Sequence, residues 1–173
     1  MPICFEDRTD NYQVLVWNCT ETLESLLAHP QCSDLIAEEA QRFKSESRAI
    51  QFTASRILLS IAIGNQILRR QPNGKPFVDE DSLHISITHD NDMAAVIVGH
   101  RICGIDIQEV TPKVVRVKNK FVNENDLIFQ TDPIEKHSII WAGKEALYKI
   151  HGESEIFFKE HMIIQQKSAD LLT

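Results

Sequence analysis

Between Arg48 and Arg70 the chain carries its strongest periodic pattern, "RAIQFTASRILLSIAIGNQILRR". Ile50, Ile57, Leu58 and Ile61 fall at helical spacings, and Arg48 and Arg56 stand eight residues apart. Such a stripe predicts one long helix with an apolar face to bury. The period then changes. "QPNGKP" breaks the chain, and "LHISITHD" alternates strictly, Leu83, Ile85 and Ile87 against His84, Ser86 and Thr88. That alternation predicts a strand with one apolar face. "DMAAVIVG" reads as another strand, and "NYQVLVWN" (Asn11 to Asn18) as the first. Helix and strands together predict a mixed α+β chain.

Other elements are signalled more locally. A short helix is expected from Thr20 to His29. A longer one is expected from Ser33 to about Lys44, with Ser33 as its cap and Asp34 at its positive end. "TPKVVRVKNKFVNENDLIF" reads as helical with a break near Asn123. "DPIEKHSIIWAGKEALYKI" has strong start signals: Asp132 as N-cap, Pro133 at the first helical position and Glu135 three after the cap. Gly143 inside it is a mild defect. The tail "SEIFFKEHMIIQQ" is expected to form one or two strands. A boundary near Gly99 to Gly104 divides the chain into an N-terminal lobe, 1–102, and a C-terminal lobe, 103–173.

With 173 residues the chain suffices for one sizeable domain or two small lobes. Its net charge of −7 argues against a general nucleic-acid binder but not against an anionic ligand held by a local basic patch. No apolar run approaches membrane-spanning length and "MPICFEDRTD" lacks a signal peptide's apolar core, so a cytoplasmic protein without membrane contact is expected. The four cysteines, Cys4, Cys19, Cys32 and Cys103, show no CxxC spacing. Neither a zinc site nor a disulfide framework is expected, and the thiols read as reduced and mostly buried.

The stretch "CGIDIQEV" (Cys103 to Val110) alternates too. As a strand it places Cys103, Ile105 and Ile107 on one face and Gly104, Asp106 and Gln108 on the other. On the helix after Asp132, Trp141, Glu145 and Lys149 share a face at i, i+4 and i+8. A solvated Glu–Lys pair is the plain reading, but a tryptophan one turn earlier is usually largely buried. Glu145 is therefore a partner for Asp106. Two carboxylates plus substrate phosphates form a magnesium arrangement, because this ion keeps waters and rarely receives an all-protein cage. Gln108 adds a carbonyl ligand or holds a metal-bound water.

"GIDIQEV", followed some thirty residues later by "WAGKEALYK", resembles the paired signature of the 4′-phosphopantetheinyl transferases, G-[IV]-D-[IV]-E and W-x-x-K-E-[AS]-x-x-K. Trp141, Lys144, Glu145, Ala146 and Lys149 complete the second motif. "NGKP" (Asn73 to Pro76) resembles the family's G-K-P, "ISITHD" (Ile85 to Asp90) its strand-end [ST]-H, and "RAIQFTASRILL" its first-lobe helix with spaced arginines. The match runs in family order from about Phe43 to Gly152. Length and first-lobe motifs resemble the two-lobed, surfactin-type branch that activates synthetases. The resemblance implies two similar small lobes in pseudo-twofold relation, each a helix on a short antiparallel sheet, with the active site in the cleft between them.

The resemblance further implies Mg2+-dependent transfer of the phosphopantetheine arm of coenzyme A to a serine of an apo acyl or peptidyl carrier protein, releasing 3′,5′-ADP. Fatty acid, polyketide and nonribosomal peptide carriers all fit. Asp106, Gln108 and Glu145 would be the metal ligands, for Mg2+ or Mn2+. Glu145 would also take the serine proton, directly or through a water, and Lys149 would neutralise the leaving phosphate. Lys149 is preferred to Lys144 because it shares the face of Glu145. Arg48, Arg56, Lys75, Thr88, His89 and Lys149 would contact coenzyme A, with Arg56 equally suited to a structural role. Lys113, Arg116, Lys118 and Lys120, in a stretch without acids, would dock an acidic carrier or else form a solvated helix face. A monomer is expected. Two departures stand out. Gln108 replaces the family's usual glutamate, which predicts a weaker metal site. Only 21 residues follow Gly152, so the second lobe reads as compact or truncated. Two alternatives follow: a catalytically impaired relative that binds coenzyme A or carrier, and an unrelated Mg2+-dependent phosphohydrolase.

Overall fold

The alternating stretches of the first half pair with one another. In the computed structural model, which describes residues 3–64, 68–71, 74–79, 83–152, 155–168 and 171–172, β1 (Ile3–Arg8) and β2 (Tyr12–Asn18) open the chain. Helices α1 (Leu23–Leu27), α2 (Asp34–Ala40) and α3 (Glu46–Ile63) follow. A short hairpin of β3 (Leu68–Arg70) and β4 (Pro76–Val78) leads to β5 (His84–Asp90) and β6 (Met93–Gly99). One antiparallel sheet has the order β1-β2-β6-β5. The chain divides into two compact units, Met1–Ile107 and Gln108–Thr173.

The core of the first unit follows from the period-two pattern. Leu15 and Trp17 of β2, Ala94, Val96 and Val98 of β6 and Ile85 of β5 form one apolar cluster with Ala54, Ile57 and Leu58 of α3. The register stacks them in rows, Leu15 opposite Val96 and Trp17 opposite Ala94. Helix α3 is more deeply buried than an amphipathic stripe requires. Every side chain from Gln51 to Leu59 is buried, because α1 and α2 also pack against it. Its buried hydroxyls turn back onto their own helix, Thr53 to the Ala49 carbonyl and Ser55 to the Phe52 carbonyl, so they add no unsatisfied polar group to the core. Gly64, at φ 63°, ends the helix. The apolar pattern that reads on to Arg70 therefore stops early, and its residues 65–67 lie outside the described ones, as do Pro72 and Asn73 of "QPNGKP".

The second unit holds α4 (Lys113–Val117), a 3-10 turn (Lys118–Lys120), α5 (Pro133–His151), α6 (Phe158–His161) and a small pair, β7 (Gln166–Ser168) with β8 (Leu171–Leu172). Val114, Phe121, Ile128, Ile140 and Ile164 form its buried apolar cluster, and Trp141 and Phe158 pack on them. Helix α5 starts where its signals say. Asp132 Oδ1 accepts the amides of Ile134 and Glu135 at 2.9 and 3.0 Å, and Gly152 at φ 72° closes the other end. Gly143 is no idle defect, since a Cβ there would meet Ile164 Cδ1 at 3.1 Å. Among the described residues no helix is long and apolar enough to cross a membrane.

Three readings need correction. "CGIDIQEV" is assigned to no strand; it runs alongside β5, and the amides of Ile105 and Ile107 donate to the side-chain hydroxyls of Ser86 and Thr88. The helix expected from Thr111 onward is one short helix and a 3-10 turn, after which Asn123 and Asp126 build a turn through Asn123 N–H to Asp126 Oδ2. The tail, apart from Ser154, which lies outside the described residues, contains the single helical turn α6, and its strand begins only at Gln166.

Candidate functional site

Strand β5 carries two kinds of side chain in alternation. Ile85 and Ile87 join the core under α3, while Ser86 and Thr88 are buried away from it. Ser86 Oγ accepts the Ile105 amide at 3.2 Å, and Thr88 Oγ1 accepts the Ile107 amide at 3.3 Å. Two hydroxyls two residues apart thus meet two amides two residues apart, which fixes the register of the segment ending at Asp106. Thr88 Oγ1 also lies 2.9 Å from Asp106 Oδ1, so the half-buried carboxylate is held at the strand's end. The sequence places Ser86 on the same strand face as Thr88 without marking it as a site residue.

Beside it, two other candidates meet. Arg48 Nη1 lies 2.9 Å from Nδ1 and 3.2 Å from Nε2 of His89. Near-equal distances to both ring nitrogens put the guanidinium across the imidazole rather than in line with one lone pair. Gln51, another residue the sequence reading missed, accepts from Arg48 and donates to the Asn91 carbonyl. It ties the start of α3 to the β5–β6 turn, where Asn91 adopts φ 46°, a left-handed conformation that asparagine tolerates. Lys75 follows Gly74, at φ 86°, in the β3–β4 turn. Its charge reaches the Cys103 thiol: burial pushes that thiol up, and Lys75 draws it partly back. Arg56 is buried with its guanidinium 4.7 Å from the centre of the Phe52 ring. The first unit therefore gathers Thr88 with Asp106 and Arg48 with His89, and brings Lys75 near Cys103.

In the second unit, half-buried Gln108 donates its side-chain amide to the Glu109 carbonyl at 3.2 Å. Glu145 and Lys149 stand on α5, one turn apart and half-buried. Lys144 is different. It is fully buried, and its ammonium donates to Phe121 O at 2.7 Å, Asp126 Oδ2 at 2.8 Å and Phe158 O at 3.1 Å. An ammonium has three donors, and all three are used. Asp126, overlooked in the sequence, also accepts the amides of Asn123 and Ile164. It stands in the polar run 123–126, 18 positions from its partner, with no sequence signal to mark it. Lys113, Arg116, Lys118 and Lys120 are all exposed, with Val117 exposed among them. Lys118 also borders an open concavity of about 500 Å³ with Asn123, Glu124, His137, Lys159 and Glu160.

The carboxylates of Asp106 and Glu145 and the amide carbonyl of Gln108 are each hard oxygen donors, the kind of ligand Mg2+ takes. Among the described residues no three His, Cys, Asp or Glu side chains gather at ligand spacing.

Comparison with known proteins agrees with the motifs. The chain is 28% identical over 101 residues to the 4′-phosphopantetheinyl transferase gsp of Aneurinibacillus migulanus, covering 56% of this chain and 42% of that protein. It is 30% identical over 95 residues to the 4′-phosphopantetheinyl transferase psf-1 of Bacillus pumilus, covering 50% of this chain and 40% of the relative. The matched part thus spans about two fifths of the length of these curated relatives. No family model matches the chain.

Proposed function

We propose that this chain transfers the phosphopantetheine arm of coenzyme A to a serine hydroxyl of an apo acyl or peptidyl carrier protein, releasing 3′,5′-ADP. The observation that carries the reading lies at the end of β5, where residues from separate motifs come together: Asp106 held by Thr88, and Arg48 against His89. The names of the two relatives support it. In this reaction the serine oxygen forms a bond to the β-phosphorus of coenzyme A. The bond to the bridging oxygen breaks, and 3′,5′-ADP leaves with that oxygen. Such chemistry needs positioning and charge neutralisation more than covalent help from the protein.

Each residue has a part in this reading. Asp106, Gln108 and Glu145 would hold Mg2+, which when bound neutralises charge on the pyrophosphate oxygens. Glu145 accepts the serine proton at a carboxylate oxygen, directly or through a water, a contribution of typically ~10²–10⁴-fold. Lys149 donates hydrogen bonds to the leaving phosphate, since every donor of Lys144 is spent inside the unit. Lys75, His89 and Arg48 supply positive charge and donors for the coenzyme's phosphates. Arg56, buried against Phe52, is the weaker arginine for that role.

The test is a mass measurement on purified apo-carrier incubated with the protein, coenzyme A and Mg2+. The carrier gains the mass of one phosphopantetheine with the wild type. With Asp106→Ala or Glu145→Ala the rate falls by ~10²-fold or more. Gln108, standing where the family motif has a glutamate, favours one specific rival. Coenzyme A binding without any gain on the carrier would identify a binder that no longer transfers. Release of 3′,5′-ADP without an acceptor would identify a hydrolase.

A further inference from the structure

We propose that Thr88 is the positioning residue for the Asp106 carboxylate, and that its hydroxyl serves the cation site and not a coenzyme phosphate. The proposal rests on the transferase reading for the identity of the cation, and on hydrogen-bond chemistry for everything else. A threonine hydroxyl has one proton and two lone pairs. Thr88 Oγ1 lies 2.9 Å from Asp106 Oδ1, and a carboxylate can only accept there, so the single proton is committed to Asp106. The Ile107 amide donates to the same Oγ1 at 3.3 Å, which uses one lone pair. What remains of the hydroxyl can only accept. A phosphate oxygen needs a donor, and this group has none to give.

The surroundings show why a threonine suits the place. Thr88 is 5% exposed and Ser86 is 4% exposed, so both hydroxyls bond in a setting where water competes little. Ser86 receives the amide just before Asp106 and Thr88 the amide just after it. The backbone on both sides of the carboxylate is therefore pinned to β5, and the carboxylate itself is gripped by the same atom that holds Ile107. Backbone position and side-chain rotamer of Asp106 are set together. Groups that orient a metal ligand in this way typically change cation affinity ~10–100-fold when removed.

Thr88→Val keeps the β-branched shape and removes the hydroxyl; Thr88→Ser keeps the hydroxyl. Mn2+ titrated in the presence of coenzyme A reads cation affinity, coenzyme A titrated in chelator reads phosphate contact, and amide hydrogen exchange at Ile105, Ile107 and Val96 reads the backbone without any ligand. In Thr88→Val, Mn2+ affinity falls ~10–100-fold, coenzyme A affinity in chelator stays within about twofold, and exchange quickens at Ile107 but not at Val96 in the buried sheet. Thr88→Ser restores most of the cation affinity. Thr88→Ala stands in should the valine quicken exchange at Val96 as well. Unchanged Mn2+ affinity, or a loss of coenzyme A affinity in chelator as large as the Mn2+ loss, overturns the proposal. So does a wild-type protein that binds no Mn2+. A wild type that takes up Mn2+ yet leaves the carrier's mass unchanged removes the transferase reading instead, and the Mn2+ and exchange results still decide the role of Thr88.

Discussion

At the scale of single residues, environment assigns side chains of one type to different tasks. Cys4 is exposed, whereas Cys19 is half-buried at the end of β2. Burial first, then the charges of Glu21 and Asp92 and the neighbouring Cys4, push the Cys19 thiol up to about 12. In the unfolded chain the same thiol titrates near its ordinary value, ~8.5. Between those two values the unfolded state gives up a proton that the folded state keeps. The unfolded state then binds fewer protons, so stability declines as pH rises through that window. Cys19→Ala is expected to lose less stability than the wild type between pH 8 and pH 11. Urea midpoints of both proteins, kept reduced at each pH, measure the difference. Equal declines in the two would show that the thiol does not resist ionisation. At neutral pH an alkylating reagent should modify Cys4 well before Cys19.

At the scale of elements, what could be read in advance was local. The start of helix α5 is legible because its cap and its first-turn proline are sequence-adjacent to the helix they open. Strand β5 is legible because its alternation is a property of the strand alone, and β2 and β6 because each is a short run rich in strand-forming apolar residues. Strand β1, "ICFEDR", lacks that alternation and was not seen. The segment around Asp106 reads as a strand and is none, because no period reveals that an amide will bond a hydroxyl instead of a carbonyl. Lys144 shows the same limit. Its motif offered two lysines, and the acid that claims one of them, Asp126, lies 18 residues away in a turn with no regular pattern. That claim carries a stability prediction. Removing one partner of a buried ion pair leaves the other charge uncompensated, typically a cost of ~3–5 kcal/mol. Lys144→Met should destabilise the protein by about that much. Adding Asp126→Asn should recover part of it, since the two residues share one network. Urea denaturation of the single and double variants gives both numbers. A Lys144→Met variant of wild-type stability that has lost coenzyme A affinity would return Lys144 to the site.

At the scale of the whole molecule the distribution of charge matters more than its sum. The net charge of −7 repels an acidic partner at long range, yet Lys113, Arg116, Lys118 and Lys120 are exposed together on α4 and the turn after it. Exposed Val117 gives that patch an apolar contact, and Lys118 joins it to the concavity bordered by His137 and Lys159. At ~0.15 M salt the screening length is about 8 Å, so distant carboxylates fade while charges in contact still count. A carrier protein docking here would feel the local patch, and complementary charge would steer its approach. Each exposed pair contributes only ~0.2–1 kcal/mol. Lys113→Glu with Arg116→Glu replaces two attractions by two repulsions, which should raise the KM for the carrier by roughly 5–20-fold at low salt. The KM for coenzyme A should stay unchanged, because only the partner's approach is altered. Raising the salt to ~0.5 M should narrow the gap between variant and wild type, since the screening length then approaches a contact distance. A carrier KM that ignores the double reversal at low salt would move the docking surface elsewhere on the molecule.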